Sequence, residues 1–331
     1  MRCLFAPDVQ EVFVEKIFNY LFLLLPGCLL IRGIFRRNSK KLKILWIVYA
    51  VILIIPFFSF SARMDHTDWK FLASSEQYQN AVFIFSPFVY GPTQTLSQIY
   101  EKPSRQHIFG TDQVGRDVFA RMLYGSRISL AVGFFATLIS ISLGTAIGLF
   151  SGYKGGKTDL FVQRMVEIVI CFPTFLLLLI LMAILLDSGS RQSILLVILV
   201  LGLTGWPGLC RMVRGEVLKQ RQLAYIMSCE SMGLPMVQIL FKHLLPNVSG
   251  PIFVSFAFDV AGAVLAENSL SFLGFGVQDP SPSWGELLRQ AFADPLLYWN
   301  LMLWPGLAIF FTVCAFNFIA DGIRKSVDLK S

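Results

Sequence analysis

The stretch ISLAVGFFATLISISLGTAIGLFSGY, Ile128–Tyr153, decides the class of this chain. It holds no Asp, Glu, Lys, Arg or His. A helix that crosses a bilayer needs roughly 20 mostly apolar residues, and this run exceeds that length. A buried helix of a soluble protein would show a polar face somewhere along it; none is present. Similar uncharged runs occur at Ile44–Ala62, Ile168–Leu186, Gln192–Cys210 and Leu296–Ala320. A further run, Val248–Phe275, is as long but carries Asp259 and Glu267. Hydrophobic residues make up 55% of the 331 residues and charged residues 15%. Soluble domains carry about 25% charged residues, so the pattern predicts an all-α integral membrane protein.

The net charge of +7 reports topology and not nucleic acid, because the cations sit between apolar runs. Arg32, Arg36, Arg37, Lys40, Lys41 and Lys43 precede the first strong span. Lys154 and Lys157 follow Ile128–Tyr153, Arg211, Arg214, Lys219, Arg221 and Lys242 lie between Gln192–Cys210 and Val248–Phe275, and Arg324, Lys325 and Lys330 close the chain. The positive-inside bias places these segments, with the C-terminus, in the cytoplasm. The expected organisation is an N-terminal cytoplasmic or interfacial region, 1–43, and a first core span, 44–62. An external segment, 63–125, with a β-leaning patch at Ala81–Phe85, comes next. A five-span membrane domain, 126–323, contains a cytoplasmic loop, 212–247, and precedes a tail, 324–331. The short apolar stretch Ile17–Ile31 is preceded by Asp8, Glu11 and Glu15. A signal peptide needs a basic start, so an interfacial helix is expected there. The six cysteines show no C-x-x-C spacing and read as small buried hydrophobes.

Overlapping the end of the opening stretch is SGYKGGKTD, Ser151–Asp159. Its Gly-Lys-Thr suggests a phosphate loop. That loop requires G-x-x-x-x-G-K-[ST] between a strand and a helix. Position 151 is serine, and an apolar run precedes it. A flexible turn with orienting lysines is expected instead, with no ATP bound by this chain. The three histidines, His66, His107 and His243, are scattered. No catalytic, cofactor-binding or metal-binding constellation is expected.

The loop 212–247 reads as a helix, a tight Gly-Leu-Pro corner and a second helix. Lys219–Met232 forms the first, closed by Gly233 in the left-handed conformation that commonly ends helices. Pro235 sits in the first turn of the second, which runs from Met236 to Leu245 and stops at Pro246. Tyr225, Ile226, Met227 and Met232 suit either a partner's groove or the chain's own spans.

Three other stretches carry a resemblance, together with AYIMSCESMGLPMVQILFKHLLPN, Ala224–Asn247. They are FGTDQVGRDVFARMLYGSRISLAVG (Phe109–Gly133), LAENSLSFLGFGVQDPSPSWGELL (Leu265–Leu288) and WPGLAIFFTVCAFNFIADGIRKSVD (Trp304–Asp328). Together and in this order they resemble the C-type permease subunit of dipeptide and oligopeptide ABC importers. Ala224–Asn247 is similar to that family's EAA loop. Gly233, Leu245 and Pro246 match its pattern, and His243 stands at its aliphatic position. Met227 replaces the expected glutamate, and Ser228 and Cys229 replace the alanines.

The resemblance implies a type I ABC importer transmembrane fold with six core transmembrane helices plus an N-terminal apolar helix. It implies a pore-forming subunit for peptide import, or for nickel or another small solute with the same machinery. A channel or scaffold without ATPases is the alternative from another class. Implied partners are a homologous second permease, two ABC ATPases that use the ATP and Mg, an external solute-binding protein and the bilayer; nucleic acid is not among them. The ATPase-coupling residues would be Ala224, Tyr225, Ile226, Met227, Ser228, Cys229, Glu230, Gly233 and Pro235.

Asp259, Ala263 and Glu267 fall along one broad stripe. A mid-membrane carboxylate costs about 2.5–3.5 kcal/mol on insertion scales, so the stripe is a candidate transport path, although for Glu267 capping or bracing of backbone at the outer end of the span is the role expected first. Asp112, Arg116 and Asp117 suit turn formation, capping and ion pairing. Trp284 and Trp299 suit an interfacial aromatic belt.

Overall fold

The computed structural model of the chain describes residues 91–95, 98–187, 194–277 and 279–328. The expectations for 1–43, for 44–62, for Ile17–Ile31 and for Ala81–Phe85 lie outside the described residues. The chain divides into two units, Met1–Gln94 and Thr95–Ser331, and the second is the subject here.

Its regular elements, among the described residues, are helices: α1 Val118–Lys154, α2 Gly156–Cys171, α3 Thr174–Asp187, α4 Ile194–Arg221, α5 Ala224–Ser231, α6 Met236–Phe272, α7 Trp284–Ala291 and α8 Trp299–Asp328. Helices α1, α4, α6 and α8 are each long and apolar enough to cross a membrane. α1 packs along α4 and α6, and α8 packs on α6 and α7. The α1–α4 contact is close because it is lined by glycine. A Cβ on Gly144 would lie 2.8 Å from the Trp206 carbonyl oxygen, and one on Gly148 would lie 2.7 Å from that of Cys210. Lipid provides no hydrophobic drive between helices, so such small residues let backbones approach and gain dispersion contacts. α8 keeps Phe310, Phe311, Phe318 and Ile319 exposed, as a surface solvated by apolar neighbours does.

Two boundaries differ from the sequence reading. The run Ile168–Leu186 is not one straight helix: α2 and α3 meet at an 81° bend. Pro173 disfavours the helical region for the residue before it, and Phe172 is extended, with φ −80° and ψ 133°. The second difference is at Pro246, which does not stop a helix. α6 continues through it, and within α6 a π-helical turn, Ile239–Leu244, lies just before the proline. The wider turn relieves the clash that a proline ring makes with the carbonyl four residues back. Cys210 and Cys229 are buried as small hydrophobes, whereas Cys171 is exposed.

Candidate functional site

The corner that follows α4 takes shape from burial. Lys219 and Arg221 end α4 and are not part of the next helix, contrary to the reading of Lys219–Met232 as one helix. The break falls at Gln222–Leu223, where no glycine or proline marks it. Turning there lets Ile226 and Cys229 enter a cluster with Val213, Val217, Ile239 and Leu244. α5 is closed by paired bonds, Gly233 N–H to the Glu230 carbonyl (3.0 Å) and Leu234 N–H to that of Cys229 (3.2 Å). This is a Schellman closure, which needs a left-handed residue; Gly233 supplies it with φ +71°. Pro235 stands one position before α6 as its N-cap, not inside the first turn. Tyr225 ties the corner down: its hydroxyl donates to Gln220 Oε1 (2.8 Å) and accepts from Asn247 Nδ2 (3.1 Å). Glu230 reaches Tyr153 of α1.

Of the residues predicted for coupling, Ile226 and Cys229 therefore face the core. Ala224, Met227, Ser228, Glu230, Gly233 and Pro235 are exposed. Met227 is 52% exposed, Met232 68% and Val237 65%. An anchored helix thus presents flexible apolar side chains outward from the end of the bundle.

The Ser151–Asp159 turn is not a flexible connection. Asp159 is gripped by Arg214 through two bonds of 2.6 Å and accepts from the Ser151 hydroxyl at 2.5 Å. The first turn of α2 thus already holds a carboxylate at the place where a phosphate would sit. The signal for this clamp was available in principle, as opposite charges flanking adjacent apolar runs, but many such pairs exist.

At the opposite end of α1, Asp112, Arg116 and Asp117 do what turn chemistry suggests. Asp112 Oδ1 accepts from the N–H groups of Val114 and Arg116, both at 2.9 Å. Asp117 caps α1 by accepting from Ala120 N–H (2.8 Å), and His107 Nδ1 lies 2.9 Å from its second oxygen. Sequence reasoning missed their partners, because those lie far along the chain. Arg116 reaches Asp279 at 2.8 Å, and fully buried Arg121 bridges Asp279 (3.1 Å) and Glu286 (2.8 Å). Burial opposes ionisation of Asp279, but the guanidiniums of Arg116 and Arg121 outweigh it and hold the carboxyl below its ordinary 3.8. For Arg116, burial likewise weighs against the charge, and Asp279 and Asp112 overcome it. The network sews the entry to α1 onto α7.

Trp284 belongs to this junction and not to an aromatic belt. It is buried, and its indole N–H donates to the Met122 carbonyl at 3.1 Å. Trp299 remains exposed. A methyl group on Gly285 would stand 2.2 Å from the Asn268 carbonyl oxygen. Gly285→Ala therefore overpacks the α6–α7 contact and lowers stability by about 1–3 kcal/mol; thermal unfolding of the purified protein measures it.

The stripe on α6 comes apart. Asp259 is exposed, Ala263 is half-buried, and Glu267 is fully buried. Each four-residue step along an α-helix drifts by about 40°, enough to turn position 267 inward. Glu267 accepts from the Ser271 hydroxyl (2.8 Å), which accepts from Val277 N–H (3.0 Å). It braces the backbone after α6, the structural role expected for it.

Residues 144–330 match the family of binding-protein-dependent transport system inner membrane components. The chain is 40% identical over 233 residues to the glutathione transport system permease protein GsiD of Pectobacterium atrosepticum, covering 70% of this chain and 76% of that protein. It is 38% identical over 258 residues to the dipeptide transport system permease protein DppC of Bacillus subtilis, covering 75% and 79%. It is 39% identical over 248 residues to the oligopeptide transport system permease protein OppC of Haemophilus influenzae, covering 74% and 78%. Among solved structures, an inward-facing form of the MetNI methionine ABC transporter aligns with a TM-score of 0.53 at 20% identity. That alignment covers 63% of this chain and 97% of that one, a likeness of fold.

Proposed function

This chain belongs to the binding-protein-dependent transport system inner membrane components, and from that premise we propose that it is the pore-forming permease subunit of an ABC importer for short peptides. It is a multi-pass membrane protein and a permease. The finer assignments are cargo, partners and orientation. Relatives named for glutathione, dipeptides and oligopeptides favour a peptide backbone over nickel as the solute. A second permease completes the pore, two ATPases supply the nucleotide cycle and its Mg, and an external binding protein delivers the solute. The chain itself catalyses no reaction and holds no cofactor. The corner Ala224–Pro235 and the C-terminus face the cytoplasm.

The observation that carries the reading is the corner itself: an anchored helix whose Met227 and Met232 project from the bundle end. A simple channel has no use for such a dock. Coexpression with two ATPases and a second permease, followed by uptake of labelled di- and oligopeptides into vesicles, tests it. The expected result is ATP-dependent uptake, and no uptake of any peptide by the assembled complex refutes the cargo. A C-terminal tag digested only in inside-out vesicles supports the orientation.

Asp259 is the carboxylate of α6 that faces outward, where a peptide ammonium passing between subunits would meet it. Asp259→Asn removes a charge-assisted bond of about 1.5–3 kcal/mol and lowers uptake about tenfold with assembly unchanged. Uptake kinetics equal to wild type exclude Asp259 from the path.

A further inference from the structure

A cavity of about 660 Å³ opens between α2 and α4, lined by Gly156, Asp159, Gln163, Glu167, Arg211 and Arg214. Most of its charges are already matched. Asp159 is held by Arg214, and Glu167 by Arg164 at 2.7 Å. Two donors are left over. Arg211 has no hydrogen-bond or ion-pair partner among the described residues, and the buried Nε2 of Gln163 has none either. The Arg211 guanidinium on the cleft suits an oxyanion, since arginine binds phosphate with particular geometric fit, and Gln163 lines the same cleft with a buried, unbonded amide N–H that gains a partner by turning into it.

The helix beside the cleft indicates where that oxyanion comes from. α3 is apolar from Phe175 to Leu186, whereas α2 is amphipathic and is turned 81° away from it. Asp159, Gln163 and Glu167 recur every four residues toward the cleft. Leu160, Phe161, Met165 and Ile168 form an exposed apolar flank. A helix with one charged and one apolar face, running across the direction of its neighbouring span, lies in the headgroup region. Basic pockets between helices at that depth take anionic lipid headgroups. We propose that the cleft between α2 and α4 seats the phosphate of an anionic phospholipid of the cytoplasmic leaflet on Arg211 and Gln163, with its acyl chains along Leu160, Phe161 and Ile168. The lipid would then hold α2 against α4 beside the Asp159–Arg214 clamp.

Only the choice of leaflet rests on the orientation proposed above. The test uses the whole importer in nanodiscs of phosphatidylcholine with a minority of phosphatidylglycerol. Lipid retained after delipidation is counted by native mass spectrometry. Wild type retains phosphatidylglycerol preferentially. Arg211→Gln lowers that retention about fivefold, the worth of one cation near an anionic surface, and Gln163→Leu lowers it in the same direction. Lys219→Gln, whose ammonium is already paired with Glu216, leaves it unchanged. Arg211 is exposed, so its variant keeps the fold. Equal retention by wild type and Arg211→Gln overturns the proposal, as does the absence of any preference for phosphatidylglycerol. Displacement of the lipid by inorganic phosphate or by a dipeptide also overturns it and assigns the cleft to a soluble oxyanion. Nanodiscs offer both leaflets, so a reversed orientation leaves retention intact and shows instead in the tag-digestion assay.

Discussion

Arg121→Met lowers the stability of the purified permease by about 3–5 kcal/mol, the loss expected when one partner of a buried ion network is removed. The arginine is completely buried and touches Asp279 and Glu286, with Asp112 at 3.5 Å. Methionine fills much of the volume but leaves Glu286 without its cation, in a place where water cannot replace it. Arg121→Lys recovers part of the loss, because an ammonium restores charge but not the two-sided reach of the guanidinium. The exposed pair Lys219–Glu216 is the contrast: breaking it costs about 0–1 kcal/mol. Unfolding midpoints in detergent distinguish the cases, and a midpoint unchanged in Arg121→Met shows that the network contributes nothing. The network also has a pH sign. Asp279 has a folded value held below 3.8. Its contribution is complete above that ordinary value and disappears as pH falls through the depressed one.

The second large effect is on assembly. Met227→Asp combined with Met232→Asp abolishes co-purification of the ATPases and, with it, peptide uptake. Truncating a hot-spot residue costs about 2 kcal/mol or more, and a carboxylate in a desolvated contact is worse than truncation. Two such sites weaken association by about a thousandfold. Because both methionines are exposed in the permease, its own unfolding midpoint stays at the wild-type value. Ile226→Asp behaves oppositely: it places a charge in the cluster with Val213 and Leu244 and unfolds the corner. ATPases that bind the methionine double variant at wild-type affinity remove the corner from the coupling mechanism. Met227 stands where the family's glutamate is expected, so the proposed dock rests on apolar packing, with Glu230 turned toward Tyr153.

The amino-acid sequence alone determined the membrane class, the approximate positions of the long helices and the left-handed closure at Gly233. Each depends on local chemistry: uninterrupted apolar length, and one residue type that accepts a positive φ. It also disclosed the turn and cap chemistry of Asp112 and Asp117, whose bonds reach only a few residues. Tertiary structure decided the rest. Arg121 finds Asp279 and Glu286 across more than 150 positions of chain, and no spacing rule connects them. The stripe of Asp259 and Glu267 separates into an exposed and a buried carboxylate because neighbouring helices, and not α6 itself, define which side is inside. The break at Gln222 has no breaker residue; it exists because Ile226 and Cys229 gain a core by turning there. Periodicity reports which residues share a face, but what that face meets is settled only when the other helices arrive.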